Sequence, residues 1–219
     1  MIKHIDSSQD GRSLIEMLGV LGIIGVLSLG GLVGYSKALG MFKTQKIMEQ
    51  VSSISANIHS LYLQQSTYSD LSNETASNAG LIPDELGSGE YLINPFSGNF
   101  KISTGKASEF EDTSAKTAFY LIYEGLSQQA CVDLAAADWK GSNTNLIGIG
   151  VYGNNTPLET VEEQAKNLHV NHLGEKGTDY ALATSKSNTI PIPIPLSVAA
   201  DSCNCSQRGT SCSIFFKFY

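Results

Sequence analysis

Twenty consecutive uncharged residues, MLGVLGIIGVLSLGGLVGYS, lie between Glu16 and Lys37, with no polar stripe at the helical period. At about 1.5 Å each, twenty helical residues span about 30 Å, the thickness of a bilayer's hydrocarbon core. The pattern predicts a retained membrane helix over 17–36 rather than a buried core helix, which would keep a polar face. A cleaved secretory signal fits less well, because Glu16 stands at the mouth of the stretch and no A-x-A-like site closes it. From Lys43 the pattern changes without a break. Ile47, Val51, Ile54, Ile58 and Leu61, spaced 4, 3, 4 and 3, form one apolar stripe on an otherwise polar segment. No proline interrupts 13–66, so one helix over 12–66, about 80 Å long, is predicted. Its first half is apolar all round, and its second half offers one face to a domain at 67–219.

Beyond the helix the pattern shortens. STYSDLSNETASNAG (66–80) reads as an exposed polar loop, with Asn73-Glu74-Thr75 as a glycosylation-type triplet. YLINPF, Ser97-Gly98 and NFKIS read as a hairpin. TAFYLIY (117–123) and NLIGIGVY (145–152) read as central strands, and SIFFKFY (213–219) as a closing one. SQQACVDLAAADW (127–139) reads as a helix capped by Ser127, and Thr156-Pro157-Leu158-Glu159 as a further helix start. The proline-spaced IPIPIPLS (190–197) predicts an extended crossing at an edge or surface. Long helix and antiparallel strands together predict an α+β fold, with the Ile47–Leu61 stripe on the inner face of the sheet.

Composition adds a split between two halves. Of 219 residues, 42% are hydrophobic and 16% charged, and the net charge is −7. Residues 1–46 are basic by about two charges while the remainder is strongly acidic. An acidic domain disfavours nucleic acid as a partner, since such affinity comes from Lys and Arg on phosphates. Gly19, Gly22, Gly25, Gly30, Gly31, Gly34 and Gly40 crowd the apolar helix. Each costs a water-exposed helix about 1 kcal/mol, whereas in a membrane small residues let helices approach closely, as at Gly30-x-x-x-Gly34.

Candidate chemistry is thin. Cys131, Cys203, Cys205 and Cys212 include no C-x-x-C, and Cys203-Asn204-Cys205 is too short for a zinc pair. Outside the cytoplasm two disulfides are the default, in any of three pairings. His169-x-x-His172 lacks a third ligand, Ser103 and Lys106 lack supporting triplets, and Glu109, Glu111 and Asp112 read as a solvated run. No enzyme, metal or cofactor is expected.

An acid at the mouth of an apolar helix needs a reason, because an unpaired charge in hydrocarbon costs several kcal/mol. Gly11 stands five residues before it, in G-R-S-L-I-E. Gly11, Ser13-Leu14-Ile15-Glu16, the apolar helix and its amphipathic continuation resemble a type IV pilin or its relatives, the secretion pseudopilins. The stretch from FYLIYEGLSQQACVDLAAADW to PLSVAADSC and the final aromatic strand is similar to type IVb pilins.

The resemblance implies a pilin roll and a leader at 1–11. It implies a membrane-embedded prepilin peptidase that cuts between Gly11 and Arg12 and methylates the new terminus. It also implies Cys131–Cys203 as the staple of the head, leaving Cys205–Cys212 to close a small loop. Glu16 is then an assembly residue: a neighbouring subunit's Glu16 pairs with the new amine and fixes axial register. The partners are other pilin subunits and the inner-membrane pilus assembly machinery. The precursor sits in the bacterial inner membrane and the product in a surface pilus.

Two positions depart from the family pattern. Arg12 follows the matched bond where an apolar residue is usual, and Val33 occupies a place where proline is common. The lysines at 37, 43 and 46 outnumber Lys3 and Arg12, which by the positive-inside count favours the opposite orientation; the motif outranks that count. The alternatives are a minor pilin or type II secretion pseudopilin and, from another class, a membrane-tethered exported enzyme or binding protein.

Overall fold

The computed structural model describes residues 9–107, 114–139, 145–153, 193–205 and 211–219, with side chains from Leu14 onward. The chain divides into two units, Met1–Phe42 and Lys43–Tyr219. A helix, α1, runs Gln9–Tyr62. It starts before and stops short of the 12–66 read from the sequence. At its end Gln65 donates to the Tyr62 carbonyl (2.9 Å), and the Tyr62 ring meets Tyr68 at 5.1 Å as the chain folds back.

In the second unit, β1 (Leu92–Ile93), β2 (Asn99–Gly105), β3 (Ala118–Leu126), β4 (Leu146–Gly153) and β5 (Cys212–Phe218) form one antiparallel sheet of order β1-β2-β3-β5-β4. Ile47, Val51, Ile54 and Ile58 are fully buried, as the stripe requires. The fifth position is Tyr62, not Leu61, which is 52% exposed. A period of 3.6 falls between the two, and Tyr62 wins because its ring reaches the edge of the Tyr68–Phe119–Phe218 stack.

Alternation along the strands divides the core. Phe119, Leu121 and Tyr123 of β3 and Ile214, Phe216 and Phe218 of β5 join the stripe, while Tyr120, Ile122 and Phe215 form a second cluster. Both faces of the central strands are therefore buried, which is why they read as continuous apolar runs. Lys217, fully buried in β5, holds its ammonium 5.0 Å from the centroid of the Tyr120 ring.

The 66–80 segment is not wholly a loop. Asn73–Asn78 forms a short helix, α2, capped by Ser72, whose Oγ accepts from the Thr75 N–H (3.1 Å). The burial of Ala76 holds it in place. Asn73 has a structural use that the triplet reading missed. Its Oδ1 accepts from the Ile102 N–H (2.7 Å) and its Nδ2 donates to the carbonyls of Glu90 (2.8 Å) and Phe100 (3.4 Å). Because β1 pairs only with Asn99 and Phe100, this amide serves as backbone partner where β2 runs on.

The hairpin forms, with a first strand shorter than YLINPF. Asn94 ends it: Oδ1 accepts from the Phe96 N–H (2.8 Å), and Nδ2 donates to the carbonyls of Asn99 (3.0 Å) and Glu124 (2.7 Å). The turn brings Gly98 against the backbone of Glu124 and Gly125, and any Cβ there would collide with the Glu124 carbonyl. We expect Gly98→Ala to destabilise the head by about 2–3 kcal/mol. The denaturant midpoint of the detergent-solubilised chain checks it.

α3 (Gln128–Ala136) begins at Ser127, whose Oγ accepts from the Ala130 N–H (3.2 Å). The 190–197 stretch is not extended throughout. α4 (Leu196–Ser202) starts directly after Pro195, whose carbonyl accepts from Val198 and Ala199. The 156–159 helix start, the His169/His172 pair and the Glu109–Asp112 acids lie outside the described residues.

Buried tyrosines give the head an alkaline limit. Burial, reinforced by donation to Asp70 Oδ1 (2.8 Å), pushes the Tyr62 hydroxyl up to about 12, and burial also raises Tyr68 and Tyr123. A raised folded-state pKa stabilises fully below the unfolded value of about 10, and that contribution is lost as pH rises through the folded one. Stability should therefore fall between about pH 10 and 12. Tyr62→Phe should flatten part of that fall in denaturant titrations across the range.

Candidate assembly interface

In the first unit every residue from 14 to 39 is exposed. The large apolar side chains between Leu14 and Val33 are each 52–73% exposed. The stretch is long and apolar enough to cross a membrane, and none of its most apolar window is buried within the chain. Such a surface is unstable in water at about 25 cal/mol per Å² of apolar area, so it needs lipid or other helices around it. Polar groups here are few. Ser36 returns its hydroxyl to the Leu32 carbonyl (3.0 Å), leaving the helix surface apolar. Glu16 is the one acid between Leu14 and Lys37, exposed among Leu14, Ile15, Met17 and Leu18.

At Gly19, Gly22, Gly25, Gly30, Gly31 and Gly34 nothing lies within 4 Å of where a Cβ would stand. These positions are shallow notches that a second helix backbone can enter. Gly11 and Arg12 lie within α1, and their side chains fall outside the described set.

In the second unit, polar ties seat the connecting segment on the amphipathic part of α1. Lys46 Nζ meets Glu85 Oε2 at 2.7 Å, and Gln50 Nε2 donates to Glu85 Oε1 at 2.8 Å. The Lys46 hydrogen bond holds the Glu85 carboxyl below its ordinary range and, reciprocally, raises the ammonium. Both groups are partly solvated, so the pair contributes position more than stability. Lys43 sits 5.5 Å from the Phe96 ring centroid, Asn57 Nδ2 donates to the Leu81 carbonyl (3.1 Å), and His59 and Asn145 are 3.0 Å apart. In the sequence Lys43 and Lys46 register only as charge. Their partners lie some forty to fifty residues away, and no local pattern announces them.

Two disulfides close the head. Cys131 in α3 is bonded to Cys203, just after α4, with Cα atoms 5.8 Å apart and a separation of 72. Cys205 is bonded to Cys212, the first residue of β5, with Cα atoms 5.4 Å apart and a separation of 7. All four are buried. The sulfurs of Cys131, Cys205 and Cys212 lie close enough together to resemble a metal set, but each is committed to a bridge.

The bundlin family model matches residues 38–172, more than half of the chain. The chain belongs to the bundlin family. Its similar relatives include the major structural subunit of bundle-forming pilus from Escherichia coli O127:H6 (strain E2348/69 / EPEC), 29% identical over 149 residues, which are 67% of this chain and 74% of that protein. The corresponding subunit from Escherichia coli O111:H- is 28% identical over the same shares. This bundlin-family chain also shares its fold with TcpA, a type IV pilin from Vibrio cholerae El Tor biotype, at a TM-score of 0.51. That alignment covers 81% of this chain and 99% of TcpA at 15% identity. The bundlin-family chain thus has the fold of a type IV pilin. The family match begins at residue 38, so Gly11, Arg12 and Glu16 precede it, and of the cysteines it includes Cys131 alone.

Proposed function

We propose that this chain is a structural subunit of a type IV pilus, made as a membrane-anchored precursor and polymerised through the N-terminal half of α1. The observation that carries the reading is the pairing of a closed, twice-bridged head with an apolar helix exposed on every side. A helix of this kind first serves as an anchor in the inner membrane. It then exchanges lipid for neighbouring helices in the filament core, at little cost in apolar burial.

In this reading prepilin peptidase cleaves between Gly11 and Arg12, and the new amine of one subunit pairs with Glu16 of its neighbour. Arg12 places a second positive charge beside that pair. The inner-membrane assembly machinery then extracts the processed subunits into the growing fibre. The family relatives named above are major structural subunits of their pilus, which favours a major over a minor role.

Shearing the surface of the native host and quantifying the chain in the released fibres tests the reading. A major subunit should be the dominant protein of the fibre fraction. A trace in fibres made of another pilin would assign it a minor role, and confinement to the membrane of piliated cells would reject polymerisation.

A further inference from the structure

We propose that the two disulfides form one exchange-competent cluster, in which Cys131 can pair with Cys205 or Cys212 as well as with Cys203. The link from α3 to the C-terminal segment then survives the loss of Cys203. The sulfurs of Cys131, Cys205 and Cys212 all lie within 4.8 Å of one another. Because Cys205 and Cys212 are bonded to each other, the sulfur of Cys131 lies within 4.8 Å of both atoms of the neighbouring bridge. Cys203, its present partner, lies outside that mutual group.

Local structure holds the four together. Cys205 donates its N–H to the Cys203 carbonyl (2.8 Å) in a tight turn after α4, and Cys212 Sγ lies 3.5 Å from the same carbonyl. All four residues are at most 2% exposed, so a thiol released here meets the other bridge before it meets solvent.

The chemistry is internal thiol–disulfide exchange. A thiolate attacks one sulfur of a bridge, a new S–S bond forms as the old one breaks, and the expelled sulfur leaves with its electron pair and takes up the proton. The numbers of thiols and bridges do not change, and no oxidant is consumed. Without Cys203, the Cys131 thiolate attacks Cys205 or Cys212 and expels the other. In the native chain a dithiol that opens Cys205–Cys212 is itself oxidised to a disulfide and leaves two thiols. Either can attack Cys131 and expel Cys203. Uncatalysed rearrangement of this kind takes minutes to hours.

The test uses the full-length Cys203→Ala chain, extracted in detergent from the oxidising envelope, with free thiols blocked by a maleimide and the bridges mapped by mass spectrometry without reduction. More than half of the chains should carry Cys131–Cys205 or Cys131–Cys212, with the blocked thiol on the remaining C-terminal cysteine. A blocked Cys131 beside an intact Cys205–Cys212 bridge overturns the proposal. A second measurement covers a variant that fails to fold. The native chain is incubated without denaturant with less than one equivalent of dithiothreitol and mapped in the same way. Peptides joining Cys131 to Cys205 or Cys212, with Cys203 blocked, are expected. Recovery of Cys131–Cys203 alone, with Cys205 and Cys212 blocked, contradicts the exchange.

Discussion

Glu16→Ala should abolish surface filaments while leaving the subunit folded and in the membrane. Glu16 sits among apolar residues on a helix exposed on every side, where a lone carboxylate is costly unless a cation meets it. Removing one member of such a buried pair typically costs about 3–5 kcal/mol per contact, or about two to four decades in the association constant. A helical polymer repeats the contact at every subunit, so the loss compounds along the fibre. The head takes no part in the proposed pair and should keep its bridges and its denaturation profile. Electron microscopy of sheared fractions, with blotting of membranes, reads both halves of the result. A tethered enzyme or binding protein would keep its function in this variant.

Cys131→Ala should be the most damaging single change in the head. Cys131–Cys203 closes a loop of 72 residues, and losing such a cross-link costs about 4 kcal/mol in the chain-entropy account. No pairing among Cys203, Cys205 and Cys212 can restore a link to α3, so the full cost remains. For a domain of this size the melting midpoint should drop by about 10 °C. Trp139 reports it directly. It is the only tryptophan, is buried, donates to the Leu134 carbonyl (2.9 Å) and packs 4.8 Å from the Phe216 ring. A shift under about 2 °C would mean that α3 is held by packing alone.

The parts of the fold legible in the sequence are those with a period. The apolar stretch after Glu16 and the stripe from Ile47 to Ile58 follow from helical geometry, and the apolar runs of β3 and β5 follow from burial on both faces. Features that depend on distant partners were not legible. α2 is too short and polar to show a period, and only Ser72 and the later burial of Ala76 mark it. Asn94 and Asn73 look like ordinary loop residues until their amides are seen completing the backbone bonding of β1 and β2. Lys217 breaks the apolar pattern of β5 and is buried against Tyr120, an arrangement no spacing announces. Three disulfide pairings were open from spacing; the family resemblance implied Cys131–Cys203, and the folded chain joins α3 to the turn after α4 by that pair. The proposed assembly site behaves in the opposite way. Its logic lies in the order of glycine, acid and apolar run, and a single chain holds only one side of the contact.

Intact mass and N-terminal sequencing of the chain from sheared surface fibres test whether it is processed and polymerised as a pilin. A mature chain beginning at Arg12, with or without a methyl group on its amine, is expected. A chain still beginning at Met1, in cells whose other prepilins are processed, would contradict that expectation.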